Sequence, residues 1–230
     1  MKKFSIKIDK NQKIVGVFYE GNKTLMIICN GYGGTKDFPS IKSLAEELYE
    51  KGFSTIRFNF SETGESGLKG ISIKQQVDNI NSLVDRFKSY KKIILIGGSL
   101  GAISSSIASI LNPKISGLIT INGFFDLPML GKKFKKMYYQ YRFLSVFHPK
   151  IRKDYMYLKE KFLPEKIKIP VLVICSKSDD EVLPIQSEIF YSKLKTKKKF
   201  VDLLTLRHDL MNPSDTKKVA TTIAKHFTRQ

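Results

Sequence analysis

Several features are scarce or missing in this 230-residue chain, and each absence removes a class of explanation. No stretch reaches the ~18 consecutive apolar residues of a membrane-spanning helix. After Met1-Lys2-Lys3 the chain alternates, Phe4-Ser5-Ile6-Lys7-Ile8-Asp9, and offers no apolar core for a signal peptide. Export by that route is therefore not expected, and a cytoplasmic location is. Two cysteines, Cys29 and Cys175, sit far apart inside apolar runs. One disulfide is arithmetically available, but buried reduced thiols fit a cytoplasmic chain better. There is no CxxC spacing, and His148, His208 and His226 form no ligand cluster, so no metal site is expected. Neither GxGxxG nor GxxxxGK[ST] occurs, which argues against a nucleotide-phosphate loop. No repeat and no low-complexity linker interrupts residues 1–230, which are expected to form one domain.

Arginine is also scarce. The net charge is +19, yet 34 of the 40 basic residues are Lys and 6 are Arg. Base readout and bidentate phosphate grips favour Arg, and the lysines are spread over most segments, so nucleic acid is not the expected partner. What is present is a globular composition, 42% hydrophobic and 27% charged, with enough apolar mass for a core.

Short apolar runs alternate with amphipathic stretches. Strands are expected at 4–8, 13–19, 25–29, 54–60, 93–96, 118–121, 171–175 and 200–206, the first two as a hairpin turning near Asn11. Helices are expected at about 39–51, 72–89, 100–111, 185–194 and 214–227. Pro39 stands near the start of the first, and Ile73, Val77, Ile80, Val84 and Phe87 recur at helical spacing in the second. Continuous runs such as Leu25-Met26-Ile27-Ile28-Cys29 suit strands buried on both faces, and the strand–helix alternation implies a parallel sheet with helices on both sides. The fold class is α/β. Between 121 and 171 lies more chain than a crossover requires, rich in Phe and Tyr, and a segment of this size usually folds over something.

The strongest chemical signal is Gly97-Gly98-Ser99-Leu100-Gly101, a G-x-S-x-G pattern between a buried strand and a helix. A serine on such a turn projects its hydroxyl above the sheet, and small neighbours let the strand and helix backbones meet. A hydroxyl is a poor nucleophile at neutral pH and needs a base, which itself needs an orienting carboxylate. The chain order Ser, acid, His points to the turn after strand 171–175 and to the loop after the last strand. Ser176-Lys177-Ser178-Asp179-Asp180-Glu181 offers Asp180 as the acid through a D-x-V-x-P turn, with Asp179 the close competitor, and His208 is the base. An imidazole base is expected to set an acid limb near the ordinary ~6.5. An oxyanion needs two N–H donors: the Leu100 amide is one, and the Gly-rich loop Asn30-Gly31-Tyr32-Gly33-Gly34 should supply the other.

With these residues the chain resembles the α/β-hydrolase family over nearly its whole length. Asn30-Gly31-Tyr32-Gly33 stands where that family often has His-Gly-x-Gly, a resemblance that makes the Tyr32 amide the second donor. Arg57-Phe58-Asn59-Phe60-Ser61-Glu62-Thr63-Gly64-Glu65-Ser66 is similar to its R-F-D-F-R-G-H-G-x-S loop, and Gly98 replaces its usual histidine before the nucleophile. Within the family the pattern looks closest to small esterases, monoacylglycerol-lipase-like and serine-aminopeptidase-like proteins. The resemblance implies a mostly parallel sheet of about eight strands, a helical cap at about 124–168 between strands 6 and 7, and no metal or organic cofactor. The expected activity is hydrolysis of a small-molecule acyl or aromatic carboxylic ester by Ser99, His208 and Asp180. Amide or thioester hydrolysis on the same residues, or a non-catalytic binding protein, are the alternatives. Residues 124–168 hold 12 Lys/Arg and 4 Asp/Glu, including Lys132-Lys133-Phe134-Lys135-Lys136. Such a basic, aromatic segment can serve as a lid or make weak contact with anionic membranes.

Overall fold

The computed structural model describes residues 1–66, 72–126, 149–204, 207–210 and 212–227. Its frame is an eight-stranded sheet in the order β1-β2-β4-β3-β5-β6-β7-β8. The strands are β1 (Lys2–Lys7), β2 (Lys13–Tyr19), β3 (Thr24–Cys29), β4 (Ser54–Asn59), β5 (Lys92–Gly98), β6 (Ile115–Ile121), β7 (Val171–Cys175) and β8 (Lys198–Asp202). The β1–β2 hairpin joins β4 antiparallel, and β4, β3 and β5 to β8 run parallel. Helices α1 (Pro39–Glu50), α2 (Ile73–Arg86), α3 (Gly101–Leu111), α4 (Pro149–Lys161), α5 (Ile185–Lys193) and α6 (Pro213–Phe227) cover the faces.

The period of two along a strand divides the core into two layers. Leu25, Ile27 and Cys29 of β3 face one layer with α2, α3 and Phe190 of α5, while Met26 and Ile28 face the other with Leu44 and Leu48 of α1 and Val219 and Ile223 of α6. Both faces are covered, which is why strands such as β3 and β7 carry unbroken apolar runs. β3 lies between β4 and β5, and the helices that follow β3 and β5, α1 and α3, pack on opposite faces. The loops therefore diverge at the carboxyl ends of β3 and β5 and open a crevice there.

The expected strand at 200–206 is instead Lys198–Asp202. β8 is an edge strand whose partner β7 ends at Cys175; after a last bond from the Leu203 amide to the Cys175 carbonyl, the ladder has no continuation. The expected first strand, 4–8, begins earlier, because Lys2 pairs with Phe18 at the open edge.

Part of the long β6–β7 connection is described. Phe125, Phe162 and Phe190 stack nearly parallel, with ring centroids 4.1 Å apart for Phe125–Phe190 and 5.8 Å for Phe125–Phe162. Both stems of the connection are thus fastened to α5. α4 docks on the amino end of α2, where Asp154 accepts hydrogen bonds from Ser72 Oγ (2.8 Å) and from the amides of Ile73 (2.9 Å) and Lys74 (3.2 Å). The Lys132–Tyr139 stretch lies outside the described residues. Asp154 satisfies orphan amides that a helix cannot satisfy itself. Asp154→Ala is expected to lower the unfolding free energy by about 1–2 kcal/mol, measured by urea denaturation.

Candidate active site

Ser99 is the hinge between β5 and α3. Its φ is +49°, in the left-handed region that disfavours a side chain. Backbone bonds hold it there: the Ser99 amide donates to the Ile121 carbonyl (3.1 Å), and the Ser99 carbonyl accepts from the amides of Ala102 and Phe124 (both 3.0 Å). The flanking glycines are dictated by space. A Cβ on Gly101 would lie 2.3 Å from the Cys29 carbonyl oxygen, and one on Gly97 would lie 2.6 Å from Ala102 Cα. Space does not dictate Gly98, where a Cβ would meet nothing within 4 Å.

His208 follows β8 and lies across from the elbow. Its Nε2 is 3.0 Å from Ser99 Oγ, and its Nδ1 is 2.7 Å from Asp179 Oδ2. In the neutral tautomer that donates from Nδ1 to Asp179, Nε2 is left to accept the Ser99 hydroxyl.

The carboxylate at His208 is thus Asp179 and not the expected Asp180. After β7 the chain turns, with the Asp179 amide donating to the Ser176 carbonyl (3.2 Å). Asp179 Oδ1 accepts from the amides of Glu181 and Val182 (both 3.0 Å), which fixes the carboxylate and aims Oδ2 at the imidazole. Its side chain is 1% exposed, whereas Asp180, next along the same turn, faces solvent. The D-x-V-x-P spacing measured the distance to Val182 and Pro184 but not the sense of the turn. The readable signal was an Asp whose side chain can cap the amides two and three residues on.

Asn122, which the sequence reading passed over, joins three of the site's segments. It sits at φ +45° and is buried at the end of β6. Its amide donates to the Ile174 carbonyl (3.0 Å), its Oδ1 accepts from the Ser176 amide (3.0 Å), and its Nδ2 donates to the Arg207 carbonyl (3.4 Å). It thereby ties the acid's turn and the histidine's loop to the strand beside the serine. An Asn-Gly pair at a strand end, suited to positive φ, was its signal in the sequence.

The loop after β3 lies against the serine, since a Cβ on Gly31 would be 2.9 Å from Ser99 Cβ. Among the described residues, the amides of Tyr32 and Leu100 donate no hydrogen bond. Leu100 is the N-cap of α3, where amides have no partner within the helix. Among the described residues no His, Cys, Asp and Glu are grouped so as to hold a metal ion, and no helix is long and apolar enough to cross a membrane. Both cysteines are free and buried, and burial pushes the Cys29 thiol up to about 12, so that thiol stays protonated.

A twisted sheet with this strand order, covered on both faces and carrying a strained serine between strand and helix, is an α/β-hydrolase fold. The model of the prolyl oligopeptidase family matches residues 52–230, and the chain belongs to that family. A search of the curated proteins by sequence finds no match. Among solved structures, the chain is similar to alpha/beta hydrolase domain-containing protein 10 from mouse, with a TM-score of 0.81 at 16% identity, covering 100% of this chain and 99% of that one. It is also similar to Est1E of Butyrivibrio proteoclasticus with bound ferulic acid (TM-score 0.77, 20% identity, 99% and 98% covered). A third is the monoacylglycerol lipase of Paleococcus ferrophilus (TM-score 0.75, 17% identity, 98% of each chain covered).

Burial alone would lower the pKa of His208. The hydrogen bond that His208 donates to Asp179, and the negative charges of Asp179, Glu181 and Asp209, act the other way and prevail, leaving it above the ordinary imidazole value of 6.5. This corrects the expectation of an unshifted base. An NMR titration of His208 should place its midpoint above 6.5, and Asp179→Asn should bring it down.

Proposed function

We propose that the chain is a serine hydrolase that cleaves small-molecule carboxylic esters through an acyl-enzyme. The carrying observation is the continuous relay from Ser99 Oγ to His208 Nε2, 3.0 Å, and from His208 Nδ1 to Asp179 Oδ2, 2.7 Å. Ser99 attacks the ester carbonyl carbon while His208 takes the hydroxyl proton. The resulting oxyanion is received by the amides of Tyr32 and Leu100. As the tetrahedral intermediate collapses, the C–O bond to the alcohol breaks and His208 returns the proton to that oxygen. Water then enters, gives a proton to His208 and releases the acid, and Ser99 recovers its hydrogen. Asp179 holds the imidazole in the required tautomer and stabilises the imidazolium.

Support for an ester comes from the neighbours, which include a ferulic-acid-bound Est1E and a monoacylglycerol lipase. Exposed apolar side chains on the loops at the same sheet edge, Tyr32 after β3, Leu183 after β7 and Leu204 after β8, offer surface to an acyl or aromatic group. The family match favours a second reading, cleavage of an amide beside proline by the same relay. A panel of p-nitrophenyl esters of graded acyl length, run beside prolyl p-nitroanilides, separates the two. Higher kcat/KM on the amides would overturn the ester assignment.

Ser99→Ala is expected to reduce turnover by several orders of magnitude, approaching the ~10⁶ seen when a triad serine is removed, with the fold unchanged by circular dichroism. Asp179→Asn should be far more damaging than Asp180→Asn, because an amide at position 179 favours the wrong imidazole tautomer. Only neutral His208 can accept the serine proton, so kcat/KM should rise with pH through a midpoint above 6.5, shifted upward by the same charges that raise its pKa.

A further inference from the structure

The middle of the β3–α1 loop has little to hold it in place. The Tyr32 side chain is 72% exposed, and Gly33 sits at φ +66° where an added Cβ would meet nothing within 4 Å. Within the loop, the Gly34 amide donates to the Gly31 carbonyl at 3.2 Å. A backbone amide in such a segment can be aimed only if the two ends are fixed.

Both ends are held by one neighbour, the carboxyl end of β4. At the start of the loop, buried Asn30 donates from Nδ2 to the Phe58 carbonyl at 2.7 Å. At its end, Asn59 Oδ1 accepts the Lys36 amide at 2.6 Å. Arg57 Nη1 donates to the Lys36 carbonyl (2.7 Å) and to Asp37 Oδ1 (2.6 Å). Arg57 and Asn59 are themselves almost wholly buried. Arg57 is steadied by Tyr19, whose hydroxyl accepts from Nε at 3.3 Å and lies 3.1 Å from Glu46 Oε1. The next loop closes over Asn59, since a Cβ on Gly64 would come within 2.8 Å of its Nδ2. Successive residues of one strand therefore grip Asn30 on one side and Lys36 and Asp37 on the other, with the exposed Tyr32 and Gly33 between them.

We propose that Asn59, acting with Arg57, is a positioning residue of the oxyanion site: it sets the Tyr32 amide by fixing the far end of the loop at Lys36. Asn59 touches neither Ser99 nor the substrate in this scheme. Its influence runs through the backbone from Lys36 to Tyr32, so it bears on the developing oxyanion and leaves ground-state binding alone. The proposal rests on the serine-hydrolase reading above, and the two can fail separately.

The test uses the full chain, an aryl ester that the wild type turns over, and an alkyl trifluoromethyl ketone. Addition of Ser99 Oγ to the ketone carbon, with its proton passing to His208, gives a hemiketal whose oxygen occupies the oxyanion position. Asn59→Ala is expected to lower kcat by about 30- to 100-fold with KM changed by no more than about twofold, as for a misplaced catalytic donor. Affinity for the ketone should fall by the same factor. Asn59→Asp keeps an acceptor for the Lys36 amide and should recover most of that loss. Asp37→Ala removes the exposed carboxylate that the buried Arg57 and Lys36 share and, in protein shown by circular dichroism to be folded, should lower kcat by about three- to tenfold, again without raising KM.

The proposal is overturned if folded Asn59→Ala, or Asp37→Ala should the former not fold, keeps wild-type kcat. It is equally overturned if kcat falls while ketone affinity is unchanged, or if Asn59→Asp recovers nothing. Ser99→Ala run in parallel separates the levels: activity retained there removes the parent reading, whereas an inactive Ser99→Ala beside a fully active Asn59→Ala removes the clamp alone.

Discussion

The close approach of α3 to the end of β3 is the constraint on which the rest of the site depends. Gly101 lies so near the Cys29 carbonyl that a methyl group would be 2.3 Å from its oxygen. That contact brings the start of α3 over the sheet edge and forces the turn between β5 and α3 to be made within a residue or two. Ser99 takes the strain of that turn as a positive φ, a conformation that persists only where its surroundings over-determine it. The surroundings are the ladder bond to Ile121 and the two amides on its carbonyl. The β3–α1 loop, with Gly31 against Ser99, lies on the other side of the same contact.

Electrostatics at the site run against the charge of the whole molecule. A chain of net charge +19 surrounds its histidine with Asp179, Glu181 and Asp209. Interactions between exposed charges fade over a Debye length of ~8 Å at physiological ionic strength, whereas a buried contact such as Asp179–His208 is screened far less. The nearby acids therefore set the titration of His208, and the distant lysines contribute little to it. Burial raises the Cys29 thiol to about 12, whereas the Ser99 hydroxyl lies 3.0 Å from an imidazole nitrogen.

Much of this was legible in the chain. Doubly buried parallel strands leave unbroken runs such as Leu25–Cys29, and helices packed on one side leave spacing such as Ile73, Val77, Ile80 and Val84. The elbow was legible because steric exclusion allows almost nothing but glycine at 97 and 101, and a backbone constraint of that kind is written directly in residue type. The end of β8 was not legible: beyond Asp202 the chain turns apolar again with Leu203 and Leu204, and only the length of the neighbouring strand stops the ladder.

By itself the sequence determined the α/β class, the order of the strands and of the helices other than α4, the serine at the elbow and the histidine after the last strand. These follow from periodicity, from excluded volume and from the direction of a parallel sheet, which brings all the relevant strand ends to one edge. Only the tertiary structure decided which carboxylate meets His208, since Asp179 and Asp180 are alike in composition and differ in which way a turn points them. It alone also showed that Asn122 ties three segments together and that Arg57 and Asn59 hold the loop of Tyr32. Hydrogen bonds between residues far apart in the chain leave no periodic trace; they exist only once the strands have chosen their neighbours.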